Sequence, residues 1–107
     1  VGTAVIQVCK KFPAVRSGVN IKYDPKIISN AKKSKFTVLR YDRSKEPKKS
    51  KQKENSSIAW GVSNCLNAKS PDIIYHKGDI GKEPMILIFG NNPDEIIQKV
   101  SKLTLSR

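Results

Sequence analysis

The chain has 107 residues, of which 37% are hydrophobic, and it carries a formal net charge of +12. This length is typical of one domain or part of one, and no apolar run approaches the roughly 20 residues that a membrane-spanning helix needs. Because residues 1–4 include neither an initiator Met nor a basic segment, we expect a piece of a longer protein rather than an intact start or a signal peptide.

Much of the positive charge lies in a Lys-rich segment at residues 44–54, where Pro47 is the one apolar side chain. This composition predicts a surface loop that is mobile and dispensable for the fold. The sequence has neither aromatic residues interleaved with basic ones nor a recognition-helix pattern. We therefore expect a general attraction to anions without specific nucleic-acid binding.

The predicted elements begin with a helix over residues 2–12, which Pro13 ends. Its apolar residues recur at helical spacing and are Val5, Val8, Cys9 and Phe12. A short strand is predicted at residues 19–23. One His and two distant Cys cannot form a zinc site by themselves, and we expect Cys9 and Cys65 to be buried thiols in a reducing cytoplasm.

A second helix is predicted to begin at Asp24-Pro25. Asp24 suits the N-terminal cap and Pro25 suits the first turn. Its buried face is expected to consist of Ile27, Ile28 and Ala31. Residues 36–41 follow as a strand. The spacing predicts a strand–helix–strand crossover.

A third helix is predicted to start at Ser56 or Ser57, and two strands follow at residues 72–75 and 85–89. The apolar positions expected on one face of this helix are Ile58, Val62, Cys65 and Leu66. The last strand is apolar at every position, a pattern typical of a central strand covered by helices on both sides.

The final helix is predicted from Asn92 as cap, Pro93 in the first turn and Glu95 in a capping box. Its inner face is expected to consist of Ile96, Ile97, Val100 and Leu103. Strands alternate with helices along the chain and no internal repeat is present. The pattern predicts a three-layer α/β/α domain.

The connection between the last two strands combines glycines, a cation and carboxylates. Gly78 and Gly81 free the backbone to turn and to bring N–H groups close to a ligand. Lys82 adds a positive charge, and Asp79 and Glu83 add carboxylates that could bind a metal or a ring amine. The spacing matches neither a Walker loop nor a dinucleotide fingerprint. Either a phosphate or metal-phosphate site or an ordinary turn is consistent with these residues.

Four other positions are candidates with an ordinary alternative. Asn20 interrupts an apolar strand, and a buried amide must find partners, either in a site or in the structure. Ser56 and Ser57 could bind an anion at a helix N-terminus or simply cap it. Trp60 is expected to pack rather than to stack on a ligand. His76 is expected at the surface, because no catalytic partner is identifiable.

Five ordered segments resemble the archaeal ThiN-type thiamine-phosphate synthase domain, over residues 4 to the C-terminus. They are Asn20-Ile21-Lys22-Tyr23-Asp24, Tyr41-Asp42-Arg43, Ser56-Ser57-Ile58-Ala59-Trp60-Gly61-Val62, Pro71-Asp72-Ile73-Ile74-Tyr75 and Gly78-Asp79-Ile80-Gly81-Lys82-Glu83-Pro84-Met85-Ile86. The resemblance implies a mixed sheet between helical layers, similar to the class II aldolase/adducin type of fold. It also implies a domain that often follows a hydroxymethylpyrimidine (phosphate) kinase domain on one chain.

The reaction implied by this resemblance joins hydroxymethylpyrimidine pyrophosphate to hydroxyethylthiazole phosphate, giving thiamine phosphate and pyrophosphate. Mg²⁺ is the natural partner of the pyrophosphate. The implied partners are phosphorylated pyrimidine and thiazole compounds in the cytoplasm, without a membrane or nucleic acid, and a homodimer is left open. Binding is expected at Asn20, Ser56, Ser57 and the residue 78–83 connection.

The family's domain extends further at its N-terminus, where we expect an Arg in a Gly-rich segment and a His just before the position of Val1. The sequence therefore resembles one N-terminally incomplete domain over residues 1–107, with catalytic residues expected upstream. The alternative is a relative that senses thiamine phosphates without catalysis, behind a helix-turn-helix in a regulator. The residues upstream of Val1 would discriminate the two.

Overall fold

A mixed sheet of four strands organises the fold. The computed structural model describes residues 2–40, 60–63, 65–78 and 83–105. Residues 60–63 and 65 are helical. The other elements are α1 (Gly2–Lys11), β1 (Ser17–Lys22), α2 (Pro25–Lys33), β2 (Val38–Arg40), β3 (Ile73–His76), β4 (Met85–Gly90) and α3 (Pro93–Leu105).

The strand order is β1-β4-β3-β2. Strand β4 is antiparallel to both of its neighbours, and β2 is parallel to β3. The mixed sheet expected from the resemblance is therefore confirmed. The predicted strand–helix–strand crossover is present, since α2 joins the parallel strands β1 and β2, and it spans the two strands β4 and β3 that lie between them. Strand β4 is apolar on both faces and lies in the interior of the sheet, beside β1.

Two apolar clusters cover the two faces of the sheet. The first cluster contains Ala4, Val8, Val15, Val62, Ile74, Leu87 and Phe89. The second cluster contains Ile28, Ala31, Ile73, Tyr75, Ile86, Ile88, Ile96 and Leu103. Successive residues of β4 alternate between the clusters, so both faces of this strand are covered, as its sequence predicted. The structure is thus an α/β fold with a mixed sheet, and its assignment to the aldolase/adducin type stays a prediction.

Helix α1 packs closely on the start of β1. Gly18 makes this approach possible, because a Cβ atom built there would lie 2.7 Å from Val5 Cγ2. Ala4 and Val8 are fully buried beneath the helix. Burying a side chain of the size of Val8 contributes roughly 1.5–3 kcal/mol to the stability of the fold.

The predicted caps of α2 and α3 are confirmed. The Asp24 carboxylate accepts the Lys26 N–H at 2.9 Å, and Asn92 Oδ1 accepts the Glu95 N–H at 2.9 Å. Each bond satisfies a backbone donor that the helix itself leaves unpaired. Pro25 is the first residue of α2.

The prediction that Ile97 belongs to the inner face of α3 is wrong, since this side chain is 62% exposed. Ile96 and Leu103 are buried, and Val100 packs beside them. These three residues recur at spacings of four and three and so share a face, whereas Ile97 is turned about 100° from Ile96. Ile97 instead lines a groove between α1 and α3 together with Ile6.

The region from residue 41 to residue 71 confirms part of the sequence prediction. Val62 is buried in the first cluster, and Cys65 and Leu66 pack against it, as expected for one helical face. The predicted start of this helix and the Lys-rich loop at residues 44–54 lie outside the described residues. Cys9 and Cys65 are free thiols, but both are half-buried rather than buried. Within the described ranges, no helix has the length and apolar character to cross a bilayer.

Candidate functional site

The carboxyl ends of three strands meet at one edge of the sheet. Strands β1, β2 and β3 run in the same direction, and β4 begins where they end. Lys22 and His76 both pair with Met85, and Arg40 pairs with Tyr75. In α/β sheets, ligands bind outside the carboxyl ends of the strands, so a ligand-binding site is expected at this edge.

A cleft of about 640 Å³ opens at this edge. Its lining residues are Asn20, Ile21, Lys22, Tyr23, Glu83, Pro84 and Met85. The volume falls in the range of pockets that hold small molecules. The structure thus brings together Asn20 and Glu83, two predicted site residues that are distant in the sequence.

Asn20 presents an exposed amide to the cleft, and the expectation of a buried amide is wrong. Strand β1 is the outermost strand of the described sheet and pairs with β4, where Asn20 lies opposite Leu87. Val19 and Ile21 pack against the second cluster. Because side chains alternate along a strand, Asn20 points to the other face. Its position keeps it available for a ligand.

Sequence reasoning missed Lys22 and Tyr23, which also line the cleft. Lys22 is exposed and lies two residues after Asn20, so strand alternation places both on one face. The Tyr23 ring stacks on Tyr75 with centroids 6.0 Å apart and an interplanar angle of 28°. The available signal was their position in the segment Asn20-Ile21-Lys22-Tyr23-Asp24. Trp60 packs on the first cluster, which confirms its predicted packing role.

The glycine-rich connection leaves β3 through a turn at Gly78. This residue has φ 88°, the left-handed region that favours glycine. Its N–H donates to His76 Nδ1 at 3.1 Å. His76 is 2% exposed, so its predicted surface position is wrong. It is the last residue of β3, a strand that lies between β4 and β2 and is buried throughout.

The remaining predicted ligand-binding residues lie outside the described part of the chain. They are Ser56, Ser57, Asp79, Gly81 and Lys82, and their roles stay predictions. Of the predicted set, Asn20, Gly78 and Glu83 are therefore the ones that the structure places. All three lie at the carboxyl edge of the sheet.

One described carboxylate, that of Glu83, lines the cleft. Among residues 2–40, 60–63, 65–78 and 83–105, no three His, Cys, Asp or Glu side chains are grouped to hold a metal ion. Mg²⁺ at phosphate sites is commonly bound by one or two carboxylates, with phosphate oxygens and water completing the shell. A single carboxylate therefore fits an Mg²⁺ ion that arrives with a pyrophosphate.

Cys65 does not supply a nucleophile. Burial raises the pKa of its thiol to about 11, with a smaller opposing effect from a backbone hydrogen bond. The thiol donates to the Val62 carbonyl oxygen at 3.3 Å. A thiol that stays protonated at neutral pH is a poor nucleophile.

A second cavity, of about 610 Å³, lies between α2 and α3. Two of its polar side chains serve the fold: Asp24 caps α2, and Asn30 Nδ2 donates to the Leu103 carbonyl oxygen at 2.9 Å. It contains none of the predicted ligand-binding residues. The cleft at the carboxyl edge is therefore the better candidate site.

The fold and cleft define an α/β domain with a mixed sheet and a cleft at the carboxyl ends of its strands. The family model described as "Thiamine-phosphate synthase ThiN" matches residues 1–102. The chain belongs to the ThiN family, which confirms the resemblance found in the sequence.

Two relatives have thiamine-related names. The chain is 42% identical over 101 residues to "Thiamine-phosphate synthase ThiN" of Methanothermobacter thermautotrophicus, covering 92% of this chain and 53% of the relative. It is 37% identical over 98 residues to "Bifunctional thiamine biosynthesis protein ThiDN" of Methanocaldococcus jannaschii, covering 90% of this chain and 22% of the relative. The chain thus spans about half of the first relative and a smaller share of the second.

Two solved structures share the fold. The C-terminal domain of a phosphomethylpyrimidine kinase superposes with a TM-score of 0.85 at 42% identity, covering 95% of this chain and 59% of that one. The C-terminal domain of protein MJ0236 superposes with a TM-score of 0.83 at 34% identity, covering 96% and 55%. The first of these domains is the C-terminal part of a kinase, which matches the fusion that the resemblance implied.

Proposed function

We propose that this domain is part of a thiamine-phosphate synthase. It would condense hydroxymethylpyrimidine pyrophosphate with hydroxyethylthiazole phosphate to give thiamine phosphate and pyrophosphate. The supporting observation is the 42% identity, over 92% of the chain, to a protein named thiamine-phosphate synthase. A thiamine biosynthetic role follows from the family, and the specific reaction is the proposal.

The proposed reaction sets clear requirements for the protein. The C–O bond between the pyrimidine methylene and the pyrophosphate breaks, and the pyrophosphate leaves with the electron pair. The thiazole nitrogen forms a bond to the methylene carbon and becomes the positively charged thiazolium nitrogen. The protein must neutralise the leaving group, align two rings and exclude water.

The cleft supplies groups that suit these tasks. Lys22 is a cation at the carboxyl edge of the sheet, and Tyr23 gives the cleft an aromatic surface on which a heterocycle can pack. The Asn20 amide can donate to a ring nitrogen and accept from a ring amine. We propose that Lys22 and Lys82 neutralise the leaving pyrophosphate.

Backbone amides and a metal would complete the phosphate site. We propose that the N–H groups around Gly81 donate to phosphate oxygens, and that Ser56 and Ser57 add donors at a helix start. Mg²⁺, when bound with pyrophosphate, would offset its negative charge. Glu83 and Asp79 are the carboxylates that we propose for it.

The test is a synthesis assay on the full-length protein with both substrates and Mg²⁺, measuring thiamine phosphate as its fluorescent thiochrome derivative. We expect product, and we expect Lys22→Ala to raise KM for the pyrophosphorylated substrate about tenfold, as the loss of a charge-assisted contact predicts. Lys10→Ala removes an exposed lysine that lies outside the cleft and is the matched control. A protein that binds thiamine phosphate but makes none would instead be the sensor.

A further inference from the structure

His76 is the buried polar side chain of the described residues, and the proposed chemistry gives it no role. It is 2% exposed and ends β3 at the carboxyl edge of the sheet. Its Nδ1 accepts the Gly78 N–H at 3.1 Å. An accepting Nδ1 requires a lone pair, so the neutral imidazole carries its proton on Nε2.

This residue holds both ends of the β3–β4 connection. Its ring accepts the Gly78 N–H two residues onward and so selects the left-handed turn among the several conformations that a glycine can adopt. Its backbone position is paired in register with Met85, where the chain re-enters the sheet. Glu83, Pro84 and Met85 form one wall of the cleft. His76 therefore contacts the exit from β3 through its ring and the wall that a ligand would contact through its backbone pairing with Met85.

We infer that His76 is a positioning residue, which fixes the turn at Gly78 and so sets the geometry of the cleft wall at residues 83–85. The inference rests on the proposed function, because it names what keeps the described wall of the cleft, residues 83–85, in its binding conformation. A site held in place before the ligand arrives does not lose ordering entropy on binding. His76 acts through the Gly78 amide and is not among the described residues that line the cleft.

The test compares His76→Asn with His76→Leu in the full-length protein. The Asn Oδ1 lies close to the position of the His Nδ1 and can accept the Gly78 N–H, whereas Leu has similar volume and no acceptor. Three quantities are measured: hydrogen exchange at the Gly78 amide, the thermal midpoint and the affinity for inorganic pyrophosphate. Should His76→Leu fail to fold, His76→Gln replaces it, because its amide oxygen reaches toward the Nε2 position.

We expect His76→Leu to accelerate Gly78 exchange and to weaken pyrophosphate binding, each about tenfold, from a lost hydrogen bond. His76→Asn should retain both within about threefold, although both variants lose a buried ring and some thermal stability. Affinity losses that simply follow the thermal midpoint in both variants would overturn the inference, as would unchanged Gly78 exchange in His76→Leu. If the wild-type protein binds no pyrophosphate, the proposed phosphate site is wrong. The exchange data would still decide whether the His76 ring restrains the Gly78 amide.

Discussion

Lys99 joins three parts of the fold, and its removal gives a quantitative test of the structure. Its Nζ lies 2.8 Å from Asp72 Oδ1 before β3 and 3.1 Å from Glu95 Oε1 in α3. It also donates to the Phe89 carbonyl oxygen in β4 at 2.5 Å. The Lys99 side chain is 13% exposed. These contacts connect the last helix to two central strands.

We predict that Lys99→Met lowers the free energy of unfolding by about 2–3 kcal/mol. Met retains most of the apolar stem, so the loss is that of the charge-assisted contacts, which contribute about 1.5–3 kcal/mol each when well shielded. The Asp72 and Glu95 side chains are 27% and 34% exposed, so water replaces part of what they lose. For a domain of this size, the midpoint of thermal unfolding should fall by about 10–20 °C.

The assay is reversible thermal and urea unfolding followed by circular dichroism. Lys10→Met changes the same charge at an exposed position and should shift stability by less than about 0.5 kcal/mol. A double-mutant cycle with Asp72→Asn should show at least about 1 kcal/mol of coupling. Equal losses for Lys99→Met and Lys10→Met, or a coupling near zero, would refute the structural role of this contact.

The orientation of α3 predicts that Ile96→Ala lowers the free energy of unfolding by about 2–4 kcal/mol, because this side chain is 8% exposed. Ile97→Ala should lower it by less than about 1 kcal/mol, because Ile97 is 62% exposed. Similar losses of both variants in denaturant unfolding would contradict this orientation. Because burial raises the pKa of the Cys65 thiol from 9.0 to about 11, iodoacetamide should label it slowly at pH 8 and faster toward pH 11. The raised folded-state pKa also means that the stability from this neutral thiol is present below pH 9 and lost as the pH rises through 11; rapid labelling of the folded protein at pH 8 is the refuting result. If Lys82 binds phosphate as proposed, Lys82→Ala should weaken pyrophosphate binding about tenfold or more, because a charge-assisted bond is lost. Lys49→Ala should have little effect, because the sequence predicts a solvated loop there, from which a charge acts only through a screened field. Calorimetric titration that shows equal losses would place the phosphate elsewhere.

Local signals in the sequence predicted the elements well. Asp24 followed by Pro25, and Asn92 followed by Pro93, predicted two helix starts, and the structure has both caps. The continuous apolar run of β4 predicted a central strand, and residues 86–89 are buried on alternating faces. These signals depend on a few neighbouring residues. Propensity and periodicity therefore sufficed to find them.

Strand order and exposure were not contained in those local signals. The β1–α2–β2 spacing predicted a crossover, but it did not indicate that β4 and β3 lie between the two strands. Asn20 was expected in the interior because its strand neighbours are apolar, but β1 is an edge strand and leaves it exposed. His76 was expected at the surface because it has no catalytic partner in the sequence. It is buried because β3 lies inside the sheet. Each error concerns which strand is the neighbour, a long-range property.

The same long-range property creates the candidate site. Had β1 lain beside β2, the end of β1 would have faced Arg40 across the ladder. Because β4 lies beside β1 and runs antiparallel to it, the end of β1 faces the start of β4, and Asn20 and Lys22 share a cleft with Glu83. A ligand that binds this cleft only in the folded state would contact both strands and would stabilise the fold by mass action. Sequence similarity identifies the family, whereas the reversed direction of β4 explains why these particular residues meet.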